Sequence, residues 1–81
     1  MTNAEWFAMQ YAERGSQNVR AHHLWKDDTE LWVAGIREAP DSWTMMLFEP
    51  GGTERQILDQ NVSDEQLDIG WNLLKEKENK L

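Results

Sequence analysis

Few residues in this chain could do chemistry, and their spacing decides how far each can go. His22 and His23 are its two imidazoles. Neighbours on an extended segment point to opposite faces, so the pair cannot converge on one metal ion or one substrate. A catalytic histidine also needs a nucleophile and an orienting carboxylate, and the chain has no cysteine and no serine in a strand-to-helix elbow. Both read as strand positions, although a histidine on a binding face would make association sensitive to pH near its ordinary pKa of about 6.5.

Asp27, Asp28, Thr29 and Glu30 crowd oxygen atoms as a calcium loop does. An EF-hand loop alternates its ligands over about twelve residues around a central glycine. Apolar Leu31 to Ala34 interrupts that pattern, so the segment reads as a hairpin turn. Pro50, Gly51 and Gly52 lack the lysine and the following apolar helix of a phosphate loop, and read as a turn too. Glu49 and Glu54 face each other across it without the burial that would tune them for acid and base work. No catalytic residue, metal ligand or cofactor is expected, and the chain does not read as an enzyme.

Two features exceed this background. Fifteen acidic against eight basic residues give a formal charge of −7, which repels phosphate backbones and anionic membranes alike. Neither nucleic acid nor membrane is an expected direct partner; a protein with a basic surface is. Asp59, Asp64, Glu65 and Asp68 run from the end of a strand into the first turns of a helix, with Asp64 and Asp68 four apart on one helix face. Together with Glu49 and Glu54 they predict an extended negative surface that copies the charge spacing of a nucleic-acid backbone.

The other feature is tryptophan, five in 81 residues. A domain of this size buries only roughly 60 to 65% of its unfolded surface, and without cysteine it has no disulfide to compensate. Indoles that bury on the order of 200 Å² each enlarge such a core. Two helices on one sheet face do not need five of them, so Trp32 or Trp43 is expected to project from the open face as a binding anchor.

The elements that must hold these residues follow from local signals. Thr2 or Asn3 can cap a first helix, with Glu5 as the reciprocal partner of Thr2. Ala4, Phe7, Ala8, Tyr11 and Ala12 share a face at helical spacing, widened by Trp6 and Met9. Gly15 closes that helix in the left-handed region. Val19 to Lys26 alternates as a strand, Asp27 and Asp28 turn, and Glu30 to Arg37 returns with apolar groups on both faces, which makes it a central strand. Ala39 to Ser42 is a second turn, and Trp43 to Phe48 is an apolar run of strand length. After Pro50 to Gly52 the more polar Thr53 to Asp59 suits a sheet edge. Ser63 with Gln66 caps a last helix whose first turn is acidic and whose apolar face is Leu67, Gly70, Trp71 and Leu74, with Leu73 at its margin. Lys75, Lys77 and Lys80 fall towards its end, where periodicity fades after Lys75.

The expected fold is one α+β domain over residues 1–81: a four-stranded antiparallel meander with a helix at each end, both helices on one sheet face. That order resembles the double-stranded-RNA-binding domain in outline, but Ser63, Asp64 and Glu65 open the last helix where that family has basic residues for phosphates, so the family is not assigned. No stretch has the plan of a signal peptide or the ~18 apolar residues of a membrane span, which places the expected location in the cytoplasm. The expected function is non-catalytic protein binding, and more narrowly a small acidic inhibitor occupying a basic, nucleic-acid-binding surface. Phage and mobile-element proteins that block restriction, CRISPR or polymerase machinery are commonly of this size and charge. The alternative is a structural or adaptor domain that self-associates, as a homodimer, or docks through a tryptophan-bearing sheet face.

Overall fold

A computed structural model describes the backbone of residues 1–79 and the side chains of residues 1–76, so the expectations for Lys80 and for the side chain of Lys77 lie outside the described residues. The described chain runs α1 (Asn3–Arg14), a 3-10 turn (Ser16–Asn18), β1 (Val19–Lys26), β2 (Thr29–Ala39), β3 (Ser42–Phe48), β4 (Gln56–Val62) and α2 (Asp64–Asn79). The strands form one antiparallel sheet in the order β1-β2-β3-β4. This is the α+β meander with a helix at each end that alternation and cap signals predict.

Side-chain chemistry makes the joints. At the start of α1 the Thr2 hydroxyl accepts from the Glu5 N–H at 3.3 Å, and the Glu5 carboxylate accepts from the Thr2 N–H at 2.9 Å. Ser63 and Gln66 make the same reciprocal pair before α2, at 3.2 and 3.1 Å. Gly15 ends α1 at φ 85, ψ 157. The positive φ suits glycine, while the extended ψ lies outside the left-handed helical basin expected there. Asp27 and Asp28, at φ 51 and 64, form a two-residue type I′ turn between the paired Lys26 and Thr29. β4 starts three residues later than Thr53, because the segment before it is tied down by α1: Asn3 Nδ2 donates to the Glu54 carbonyl at 3.0 Å.

The helices do not share a sheet face. In α1, Trp6 stacks edge-on against Phe48 and Phe7 against Trp32, two residues that are cross-strand partners and so point the same way. Leu67 and Trp71 of α2 instead form a buried cluster with Val33, Trp43 and Val62. Val33 follows Trp32 on one strand, so the two helices lie on opposite faces. The physical reason is the two-sided apolar content of β2 and β3. Leu31, Val33, Trp43, Met45 and Leu47 need one cover, and Trp32, Ala34, Ile36, Met46 and Phe48 need another.

α1 is also turned relative to its apolar stripe. Ala8, Tyr11 and Ala12 are exposed, and its one buried residue is Asn3. Polar tie points set the rotation. Asn3 Nδ2 donates to the Glu49 and Glu54 carbonyls, and Arg14 donates to the Arg37 carbonyl at 2.8 Å. Eleven residues are close to three full turns, so Asn3 and Arg14 lie on one helix face. Two anchored ends outweigh the apolar area of Ala8, Tyr11 and Ala12.

Candidate partner-binding surfaces

The acidic residues divide by position and by engagement. Glu49 and Glu54 flank the β3–β4 loop and line an open recess of about 530 Å³ with Leu31, Leu47 and Arg55. Asp59 lies within β4, and Asp64, Glu65 and Asp68 lie at the start of α2. β4 is a seven-residue edge strand, so the two ends of this acidic line are separated by on the order of 20 Å. The six carboxylates do not form one cluster: Glu49, Glu54 and Asp59 follow the β4 edge and Asp64 and Glu65 open α2, while Asp68 reaches across the sheet to Arg20 of β1.

Two of them already have side-chain partners. Asp68 pairs with Arg20 at 2.7 Å, and Asp64 accepts from the Trp43 indole N–H at 2.6 Å. The Asp64 N–H is itself received by the Asp41 carboxylate at 2.8 Å. Asp59 folds back to accept from the Gln60 N–H. The two engaged carboxylates contribute to structure as well as to charge.

From Glu38 to Asp68 the chain carries eight carboxylates against one basic side chain, Arg55, a net −7 that equals the charge of the whole protein. Arg55 is turned under α1, over the Trp6 ring at 4.2 Å and donating to Asn3 Oδ1 at 2.8 Å. β4 is exposed along its length except at Val62. Ile57 and Leu58 on the strand, and Ile69 and Leu73 on α2, are large apolar residues open to solvent.

The aromatic anchors correct the sequence reading. Trp43 is 5% exposed, under α2. Trp32 is half-buried between Phe7 and Phe48, with its indole N–H on Glu30 at 3.1 Å. Neither projects, because α1 and α2 cover both faces of the central strands. Trp25 is the indole in solvent, 62% exposed on β1. The signal that distinguishes it is position: it stands next to a hairpin turn on an edge strand, past the cover of either helix.

The imidazoles diverge as alternation requires. His22 faces α2 and its ring meets Trp71 edge-on, while His23 lies beside Trp25 and Trp32 on the α1 side. His23 Nε2 is 3.3 Å from Glu30, on open strand surface with that imidazole half exposed. Glu30 thus bridges a ring nitrogen and the Trp32 indole, which fixes side chains on the surface rather than enclosing a substrate. Among the described residues no group of three or more histidine or acidic side chains is placed to hold a metal ion, and no helix is long and apolar enough to cross a membrane. Comparison with family models, with curated proteins and with solved structures finds no match to this chain.

Proposed function

We propose that this protein is a non-catalytic binding module whose acidic side, β4 and the first turns of α2, docks on a basic surface of another protein. One observation carries the reading: the whole −7 charge falls between Glu38 and Asp68, and the one basic residue of that stretch is drawn away under α1. The apolar side chains Ile57 and Leu58 are exposed on β4 and immediately precede Asp59 in the chain. An apolar centre with a charged surround is the anatomy of a protein interface, and the carboxylates would steer a basic partner to it. Its narrower form is an inhibitor that occupies a nucleic-acid-binding surface, of the kind that phages and mobile elements direct against restriction, CRISPR or polymerase machinery. A basic surface that binds nucleic acid is the kind of target such a charge would select.

The test uses the carboxylates that the fold does not need. A photo-crosslinker at Leu58 is expected to capture a basic protein from an extract of the producing cell. Combined Glu54→Gln, Asp59→Asn and Glu65→Gln should reduce capture at least tenfold with the far-UV spectrum unchanged. Wild-type capture should fall as salt rises. For the narrower form, the captured protein should lose nucleic-acid binding in the presence of this chain. Capture that is insensitive both to salt and to the triple variant would refute the acidic docking surface.

A further inference from the structure

The opposite side of the sheet has the converse character. β1 pairs with β2 in unbroken register from Val19 to Lys26, whereas the β3–β4 ladder shifts twice. Bulges and prolines blunt an edge strand and β1 has neither; its charged residues, Arg20 and Lys26, stand towards its two ends and leave Ala21 to Trp25 uncharged. The type I′ turn is closed between Lys26 and Thr29, and antiparallel pairs alternate in their bonding. Lys26, Leu24, His22 and Arg20 therefore direct their backbone groups to β2, and Trp25, His23 and Ala21 direct theirs outward. The same three residues put their side chains on the α1 face. There Phe7, Ala21, His23 and Trp32 line a mainly apolar recess of about 220 Å³.

We infer that β1 is a self-association edge, on which a second copy of this chain adds its own β1 antiparallel about a two-fold axis at His23. In that register Ala21 of one copy faces Trp25 of the other, so each exposed indole closes over its partner's recess. His23 pairs with its counterpart, and about six main-chain hydrogen bonds form across the axis. No carboxylates are brought together across this seam, because the charged residues of β1 are Arg20 and Lys26. Arg20 is already neutralised by Asp68 at 2.7 Å, so the Lys26 that would stand opposite it meets an ion pair rather than a bare cation. The pairing joins two sheets into one and leaves both β4 edges outward. It does not depend on the acidic docking surface.

Sedimentation from micromolar to millimolar concentration tests it, together with amide exchange read by NMR. The mass should rise towards twice the 9.5 kDa of the chain, and the Ala21, His23 and Trp25 amides should gain protection as it does. Two variants should hold the protein monomeric. Trp25→Lys removes the indole at a solvent-exposed position, and His23→Pro removes an outward N–H that the β1–β2 ladder does not use, a position where an edge strand tolerates proline. A wild type that stays monomeric to millimolar concentration overturns the inference. So does a dimer retained by either folded variant, or one that leaves those three amides unprotected. If His23→Pro does not fold, Trp25→Lys and the amides decide. The Glu54, Asp59 and Glu65 variant should dimerise like the wild type, so loss of partner capture and loss of self-association are separable.

Discussion

Asn3 shows how much of this fold rests on single polar side chains. It is 0% exposed, and its amide donates to the Glu49 and Glu54 carbonyls while its oxygen accepts from Arg55. Its own N–H reaches the Gly52 carbonyl at 2.8 Å. Asn3→Ala keeps that main-chain bond but takes the side-chain partner from the two carbonyls and from Arg55 near the surface, where water recovers part of the loss, and should cost about 2 kcal/mol. For a domain of this size that is roughly 10 °C in Tm, measurable by thermal melting. Asn3→Asp keeps the contact to Arg55 but turns an acceptor towards two carbonyls, and should be at least as costly. Sequence marks Asn3 as a cap candidate and nothing more. Its partners are 46 and 51 residues away, and no local pattern records a contact of that range. The Trp43–Asp64 bond is hidden for the same reason, while the Thr2–Glu5 and Ser63–Gln66 boxes are legible because both partners lie within one turn.

The two helices are held by different forces, which decides how they open. α2 buries Leu67 to 1% and Trp71 to 6% in an apolar cluster, a burial that contributes about 1.5 to 3 kcal/mol per side chain. α1 relies on Asn3 and Arg14 at its ends with half-buried Trp6 and Phe7 between them. Amides of α1 should therefore exchange with a lower opening free energy than those of α2, by about 1 to 2 kcal/mol in native-state exchange. The gap should widen in acid. The Thr2 N–H and hydroxyl hold the Glu5 carboxyl below its ordinary value of 4.5. A carboxylate lowered in the folded state adds stability that is complete above its unfolded pKa and disappears as pH falls through the folded one. Protection of α1 should fall in that window, and Glu5→Gln, whose amide oxygen can still accept, should flatten the fall. The α2 face could be read from sequence because an apolar cluster sets its rotation. That of α1 could not, because carbonyl groups of the sheet rim set it.

At the scale of the whole molecule, an α-sheet-α sandwich accounts for the tryptophans. Trp6 and Trp32 serve one layer, Trp43 and Trp71 the other, and Trp25 remains outside. The sequence contained the sign of this in the apolar content on both faces of Leu31 to Ile36 and in the unbroken run Trp43 to Phe48. A one-sided sheet would have left one of those faces wet. Charge is distributed along a different axis, from a β1 strand without carboxylates of its own to the acidic residues of β4 and the start of α2. Carboxylates on one side repel one another in the folded state more than in the expanded chain, so part of the folding free energy is lost to self-repulsion. Salt should recover it. Raising ionic strength from about 0.01 to 0.15 M shortens the screening length from about 30 to 8 Å, less than the ~20 Å extent of the acidic line. Tm should rise by about 2 to 5 °C, equivalent to less than about 1 kcal/mol. The measurement belongs at low micromolar concentration, where association through β1 contributes least. The Glu54, Asp59 and Glu65 variant should begin at a higher Tm and respond less. A Tm that falls with salt would mean that attractive pairs such as Arg20–Asp68 outweigh the repulsion, and that the acidic side is not under electrostatic strain.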